Sequence, residues 1–134
     1  MSTEEKFTNL LHTVTQLVAD KGCPWDKKQT NDSMIKYLRS ETDELIEGLQ
    51  NKDIDNICEE LGDLFFVLLL TTSINERNGD FDLSDVLERI NKKLIRRHPH
   101  VFEGTTYDSE EDLVKQWNRI KEEEKAAKAC SPDE

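Results

Sequence analysis

The sequence predicts an all-α fold, a bundle of four to five helices that forms a single domain over residues 1–128. Glycine and proline are scarce, with five and three residues in a chain of 134, which favours long helices over a turn-rich β-fold. Apolar residues recur at steps of three and four along most of the chain, which is the spacing of amphipathic helices. A chain of this length suffices for one domain with a hydrophobic core.

Five helices are predicted from this spacing and from the residues that end it. Gly22 and Pro24 end the first helix, and Trp25 follows them in a loop. Asp53 is the predicted N-cap of the third helix, and Gly79 breaks that helix at its other end. The predicted helices are residues 4–20, 31–50, 54–78, 83–97 and 110–128, and residues 129–134 are predicted to form a disordered tail.

The charge and cysteine content narrow the class of partner and the compartment. A net charge of −11 argues against nucleic acid as the main partner, because phosphate backbones attract Lys and Arg. It is compatible with a nucleotide, which a carboxylate-rich protein can bind through divalent cations. Three cysteines without CxxC spacing indicate neither a disulfide framework nor a zinc site, and they favour a cytoplasmic location. The N-terminus has no signal-peptide pattern.

The longest apolar run, Leu64–Leu70, bears on assembly. It is far shorter than the ~20 residues of a membrane span. Because it is apolar on all sides of a predicted helix, every side must be covered. Helices of a second subunit would cover it, which predicts a homodimer or a homotetramer. The alternative is a central helix in a monomeric bundle.

Four carboxylates on the second and third predicted helices are the candidate metal ligands: Glu41, Glu44, Glu60 and Asp63. Each pair is spaced i,i+3, which places its Cβ atoms about 5–6 Å apart on one helix face. The turn centres on Lys52, with Glu44 eight residues before it and Glu60 eight after, so these two come level in an antiparallel hairpin. Glu41 and Asp63, each eleven residues from Lys52, come level in the same way. All four carboxylates are therefore predicted to converge.

These acids lie in line with apolar residues of the two helices. On the third helix, steps of three and four from Glu60 lead to Asp63, Val67, Leu70 and Ile74. On the second helix the same steps give Met34, Tyr37, Glu41, Glu44 and Gly48, beside an inward set of Ile35, Leu38, Leu45 and Leu49. In a partly enclosed seam with a dielectric near 20, two charges about 5.5 Å apart repel by roughly 3 kcal/mol. Four such acids need protons or cations, and carboxylates without His or Cys select Mg²⁺ or Mn²⁺. The alternative is a solvated acidic face with coincidental mirror spacing.

Five segments follow one another with short gaps: GCPWDKKQT (22–30), ETDELIEGL (41–49), EELGDLFF (59–66), RRHPHVFEG (96–104) and WNRIKEE (117–123). Together they strongly resemble the MazG family, and the resemblance extends over about residues 5–128. This family belongs to an all-helical superfamily of nucleotide pyrophosphohydrolases with the pattern EExxE, a spacer and ExxD. The resemblance implies Mg²⁺-dependent hydrolysis of a (deoxy)nucleoside triphosphate to the monophosphate and pyrophosphate, which clears unwanted nucleotides. It also implies that the four carboxylates selected by spacing hold the Mg²⁺.

The chain departs from the family pattern at Ser40, which stands where the family has its first Glu. Serine offers no carboxylate to a metal or a water. If that position orients the attacking water, activity is weakened or the role passes to Glu47 or Glu59. The candidate catalytic carboxylates are therefore Glu41, Glu44, Glu47 and Glu59.

Candidate substrate-binding residues lie outside the acidic pairs. Lys93, Arg96 and Arg97, near the end of the fourth helix, are candidates for binding triphosphate oxygens, which arginine can bind in bidentate fashion. Alternatively, these cations compensate the dipole at the helix C-terminus. Lys121, in the segment matching the family's late Trp–Ile–Lys sequence, is a further phosphate candidate. Trp25 either stacks on the nucleobase or fills a gap between helices.

Two other functions stay open. One is a related helical pyrophosphohydrolase with a narrower substrate, such as dUTP, dCTP or a modified nucleotide. The other is a helical domain that binds nucleotide or protein with little or no turnover, an alternative prompted by Ser40.

Overall fold

The structure, a computed structural model, describes residues 1–130, with the backbone alone at Cys130. Within this range the chain is helical and contains no strand, which confirms the all-α prediction. The helices are α1 (Thr3–Leu17), α2 (Pro24–Lys27), α3 (Asn31–Gln50), α4 (Ile54–Arg77), α5 (Leu83–Arg97), α6 (Pro99–Phe102) and α7 (Glu110–Cys130). The chain divides into two compact units, Met1–Leu83 and the part from Ser84 onward. None of these helices is long and apolar enough to span a membrane.

The five long helices match the predicted ones, and the differences are at helix ends. Two one-turn helices, α2 and α6, lie in segments predicted as loop or helix end. Each begins at a proline, whose fixed φ suits the first helical position. Residues 129 and 130, placed in the predicted tail, belong to α7, and residues 131–134 lie outside the described residues.

The first helix ends at Leu17, three residues earlier than predicted. A Cβ atom on Gly22 would lie 2.2 Å from the carbonyl oxygen of Leu17, so the returning chain passes too close for any side chain there. This close approach leads the chain away from α1 and into α2.

The core of the first unit lies between α3 and α4, and α1 packs against α4. Its buried members are Met34 from α3 and Val67, Leu70 and Ile74 from α4. Leu70 is only 1% exposed. The apolar continuation of the acidic seam on α4 is therefore the core of this unit, as the spacing predicted.

The inward face predicted for α3 is wrong. Ile35, Leu38 and Leu49 are 50%, 42% and 54% exposed, and Leu45 is half-buried. The buried positions on this helix are Met34 and Gly48. The helix turns the side that carries Met34 toward α4, and that side also carries Glu41.

The Leu64–Leu70 stretch is covered only in part within the described chain. Val67, Leu69 and Leu70 are buried, whereas Phe65 and Leu68 are 51% and 49% exposed. One neighbour of Phe65 is Phe7 of α1, with ring centroids 6.5 Å apart. An apolar strip of α4 thus stays open to solvent.

Polar contacts join α7 to α5 and to α6 in the second unit. Glu124 of α7 forms ion pairs with Arg96 and Arg97 at the end of α5. Gln116 of α7 is buried, and its Nε2 atom lies 3.2 Å from Nδ1 of His100 in α6. No residue of α5 is fully buried in the described chain.

Candidate metal centre and adjoining pocket

The α3–α4 hairpin brings the four predicted acids together. Glu41, Glu44, Glu60 and Asp63 each offer one carboxylate oxygen to a group whose atoms all lie within 4.8 Å of one another. The turn that sets this alignment contains Lys52, whose φ of 54° is in the left-handed region. The side chain of Asp53 then caps α4 by accepting a hydrogen bond from the Asn56 amide, at 3.2 Å. The convergence expected from mirror spacing is confirmed.

Two oxygens of this group are buried without a hydrogen-bond partner. They are Oε2 of Glu41 and Oε2 of Glu60, the only such side-chain atoms in the described chain. Glu60 is 8% exposed, whereas Glu44 and Asp63 are exposed. Because buried polar atoms in proteins almost always have a partner, the two orphan oxygens indicate a place where a ligand binds.

The electrostatics of the four acids also indicate a place where a ligand binds. Burial, together with the hydrogen bond and charge of Glu44 and the charges of Asp63 and Glu41, raises the pKa of Glu60 to about 7. The pKa of Glu41 is also raised, first by burial and then by the charges of Glu44 and Asp63. Without a compensating cation, Glu60 therefore takes up a proton near neutral pH.

The donor set fits a metal ion. All of its donors are carboxylate oxygens, the ligands that hard divalent cations prefer. No ion pair within residues 1–130 neutralises any of the four acids. A cation would partner the orphan oxygens and would offset the repulsion that raises the pKa of Glu60. The group can therefore hold a metal.

A pocket of about 270 Å³ adjoins the acids within the first unit. Glu41 and Asp63 form part of its wall, and the rest is aromatic or apolar: Trp25, Met34, Tyr37, Phe66, Val67 and Leu70. The rings of Trp25 and Tyr37 meet edge to face, with centroids 5.1 Å apart. Because Trp25 is still 41% exposed, a planar ligand in the pocket has an aromatic surface to contact.

The other predicted catalytic residues lie outside the acidic group. Glu47 and Glu59 are exposed, as is Ser40 at the departure from the family pattern, and neither glutamate is among the four acids that converge. Ser40 and Glu47 lie together along the open side of α3.

The predicted phosphate ligands all belong to the second unit, and two of them already have a partner. Glu124 accepts from Nε of Arg96 at 2.7 Å and from Nη2 of Arg97 at 2.9 Å. These contacts lower the pKa of Glu124 to about 2 and raise that of Arg97. Lys121 lies over the ring of Trp117, 5.1 Å from its centroid. Lys93 is partly buried and takes part in none of the ion pairs found in the described chain.

The sequence interpretation missed part of the pocket and the partner of the arginines. Tyr37 was predicted in line with Glu41, and Phe66 stands one helical turn from Asp63, so the same helical spacing would have found it. No local pattern marks Glu124 as the partner of Arg97, since the two residues are 27 positions apart.

The profile described as the MazG nucleotide pyrophosphohydrolase domain matches residues 29–102, a range that contains all four converging acids. The chain belongs to the MazG family. Its fold resembles the crystal structure of a mazG-related protein from Thermotoga maritima, with a TM-score of 0.70 and 26% identity, covering 88% of this chain and 98% of that one. The matched range excludes Trp25 of the aromatic pocket wall and includes Tyr37 and Phe66.

Curated proteins of similar sequence carry the MazG domain within longer chains. One is the nucleoside triphosphate pyrophosphohydrolase/pyrophosphatase MazG of Thermotoga maritima, 42% identical over 93% of this chain and 48% of its own. Another is the nucleoside triphosphate pyrophosphohydrolase of Escherichia coli K12, 38% identical over 89% of this chain and 46% of its own. A third, the uncharacterized protein YabN of Bacillus subtilis, is 40% identical over 90% of this chain and 24% of its own. The MazG-family chain thus spans half or less of these relatives.

Proposed function

We propose that this chain hydrolyses nucleoside or deoxynucleoside triphosphates to the monophosphate and pyrophosphate, with Mg²⁺ as the metal. The observation that carries the proposal is the group of four carboxylates with two buried, unpartnered oxygens beside an aromatic pocket. Membership of the MazG family supports it, as do relatives named nucleoside triphosphate pyrophosphohydrolases.

The acidic group would hold Mg²⁺ through Glu41, Glu44, Glu60 and Asp63. When bound, Mg²⁺ supplies Lewis-acid polarisation of phosphoryl oxygens. The adjoining pocket would take the base, with Trp25 and Tyr37 offering ring surfaces for stacking. Because Ser40 has no carboxylate, the proton of the attacking water would pass to a carboxylate outside the buried pair, with exposed Glu47 and Glu59 as candidates.

Basic residues would stabilise the leaving pyrophosphate. Among Lys93, Arg96, Arg97 and Lys121, we place Lys93 first because it takes part in no ion pair in the described chain. Arg96 and Arg97 would have to exchange Glu124 for phosphate oxygens, which opposes their use. Removing a group that acts on the leaving pyrophosphate should lower kcat, not only raise KM.

A second subunit is part of the proposal. Leu61, Phe65 and Leu68 form an exposed strip on α4, each close to half exposed. Such a strip is expected to be covered in a homodimer or homotetramer. Sedimentation at micromolar concentration should therefore give a species of at least twice 15.6 kDa. A cytoplasmic location, inferred from the cysteines, stays a prediction.

The deciding experiment is a panel of nucleoside and deoxynucleoside triphosphates with Mg²⁺, with the products separated. Monophosphate and pyrophosphate are expected, and the Glu60→Gln variant should form neither. Diphosphate and orthophosphate would rule out the proposed reaction. Turnover confined to dUTP, dCTP or a modified nucleotide would favour the narrower pyrophosphohydrolase, and binding without turnover would favour a nucleotide-binding domain.

A further inference from the structure

A hydrogen-bonded strap ties the α2 segment to the last turn of α4. Nη1 of Arg77 donates to the carbonyl oxygen of Lys27 at 2.7 Å, and Nη2 donates to that of Gln29 at 2.9 Å. Gln29 is 3% exposed, and its Nε2 atom donates in turn to the carbonyl oxygen of Trp25 at 2.8 Å. A continuous series of hydrogen bonds therefore runs from Arg77 to the backbone of Trp25.

A second tie lies beside the first and joins the same two parts of the chain. The side-chain amides of Asn31 and Asn75 bond reciprocally, at 3.0 and 2.9 Å. Asn75 is buried and also donates to the carbonyl oxygen of Thr71 at 2.9 Å, which fixes the orientation of its amide. The start of α3 is thereby anchored to α4 next to the strap.

The α2 segment needs such external support. It is a helix of four residues, Pro24–Lys27, and so short a helix does not hold its own conformation in water. Cys23 at its N-cap makes no side-chain capping hydrogen bond. The segment is also tied to the end of α1, because Cys23 N donates to the carbonyl oxygen of Leu17 and Lys27 Nζ donates to that of Asp20. Trp25, which this segment carries, meets the ring of Tyr37 and keeps 41% of its surface exposed. The contacts that α2 makes with α4 therefore help to set the position of the Trp25 ring.

We propose that Arg77 is a positioning residue for substrate: by fixing the α2 segment, it holds the Trp25 ring as the wall of the pocket beside Glu41 and Asp63. This inference rests on the proposed function, because it takes that pocket to be where the base binds. Arg77 itself does not line the pocket. Its guanidinium spans two carbonyl oxygens, which a lysine ammonium at the same position reproduces only in part.

The kinetic test compares Arg77→Ala with Trp25→Ala and with the double variant. Trp25→Ala removes stacking on the ring and should raise KM for a triphosphate about tenfold. Arg77→Ala should raise KM by about three- to tenfold, with kcat nearly unchanged. In the Trp25→Ala background, Arg77→Ala should have less than about a twofold further effect, because both changes remove the same contact. Arg77→Lys should fall between wild type and Arg77→Ala.

A second readout needs neither metal nor substrate. In a Trp117→Phe background, Trp25 is the remaining tryptophan, and acrylamide quenching of its fluorescence reports its exposure. Arg77→Ala should increase quenching clearly, and Arg77→Lys should increase it less. Arg89→Ala, which removes an exposed guanidinium from α5, is the matched control and should change neither quenching nor KM.

The outcomes separate this inference from the proposed function. A lower melting temperature with unchanged KM and unchanged quenching would show that Arg77 only stabilises the helix end, and would overturn the inference. Additive KM effects in the double variant would overturn it as well. If the wild-type chain hydrolyses no triphosphate, the proposed function fails, and the quenching of Trp25 still decides whether Arg77 positions the ring.

Discussion

The two charged clusters of this chain have opposite electrostatics. On α3 and α4, four acids meet with no basic ion-pair partner in the described chain, and Glu41 and Glu60 each keep a buried oxygen unsatisfied. Between α5 and α7, two arginines share one acid, Glu124, through contacts of 2.7 and 2.9 Å. The first cluster costs stability until a ligand binds, and the second contributes stability as it stands. A cluster left unsatisfied by the fold is the better guide to function.

One residue type shows the contrast in its pKa. Burial, together with the other carboxylates, raises the pKa of Glu60 to about 7, whereas the guanidinium groups of Arg97 and Arg96 lower the pKa of Glu124 to about 2. Both side chains are largely shielded from solvent. Burial raises the pKa of both groups, and at Glu124 the hydrogen bonds and charges of the two arginines outweigh it.

The largest effect is expected from Glu60→Gln, which keeps the shape of the side chain and removes its charge. Turnover should fall at least a hundredfold, the range seen when a charge-stabilising group is lost from an active site. The fold should persist, and the metal-free variant should melt at a higher temperature than the metal-free wild type, because repulsion is relieved. Activity assays and thermal melts in chelator check both parts.

Asp55→Asn is the matched control, since it removes an exposed carboxylate from the same helix outside the cluster. It should leave turnover unchanged. Full activity in Glu60→Gln, or equal loss in both variants, would remove the distinction between the two clusters.

Metal binding should stabilise the folded protein through the acidic cluster alone. At about a hundred times its dissociation constant, Mg²⁺ adds about 2.7 kcal/mol to the stability of a state that binds it, and chelator removes this gain. The wild-type chain should therefore melt several degrees higher with Mg²⁺, and Glu60→Gln should lose most of that shift. Glu124→Gln should keep it. A Mg²⁺ shift that survives in Glu60→Gln would place the ion elsewhere.

Breaking the satisfied cluster should have a smaller effect, on stability alone. Glu124→Gln removes the partner of Arg96 and Arg97 and should lower the melting temperature of the second unit by a few degrees. Glu88→Gln is the control: its pair with Lys92 is also 2.7 Å long but is mostly exposed, so the loss should be close to undetectable. If the two variants melt alike, the Glu124 cluster is no more than a surface contact.

The smallest effects concern pH, and the two clusters should respond in opposite directions. Glu124 has a lowered pKa, so its stabilisation is present above about 4.5 and is lost as the pH falls toward about 2. Glu60 has a raised pKa, so in chelated protein its contribution is present below about 4.5 and is lost as the pH rises through about 7. Urea unfolding of wild type, Glu60→Gln and Glu124→Gln between pH 3 and 8 should reveal two opposite slopes, each missing from its own variant.

The acidic site was predictable because it lies within one hairpin. Glu44 and Glu60 are placed by helix periodicity and by a short turn at Lys52, and both can be counted from the sequence. The pocket residue Tyr37 was placed in line with the acids by the same periodicity, since it stands one turn from Glu41.

The inward face of α3 and the long-range side-chain pairings depend on contacts that no local sequence pattern contains. Apolar spacing on α3 fits more than one inward face, and the packing of α4 against Met34 left Ile35 half exposed. The strap from Arg77 to Gln29 joins residues 48 positions apart, and the pair of Arg97 with Glu124 joins residues 27 apart. Such pairings are fixed by how helices meet in space.

The turn at Lys52 also bears on how such a site can change during evolution. One residue inserted between α3 and α4 would rotate everything after it by about 100° and shift it by about 1.5 Å along the helix axis. Glu60 would then point away from Glu44, and all four ligands would be lost as a set without any of them being replaced. Among homologous chains, the length of this turn should therefore vary less than that of residues 103–109, between α6 and α7, even where its amino acids differ.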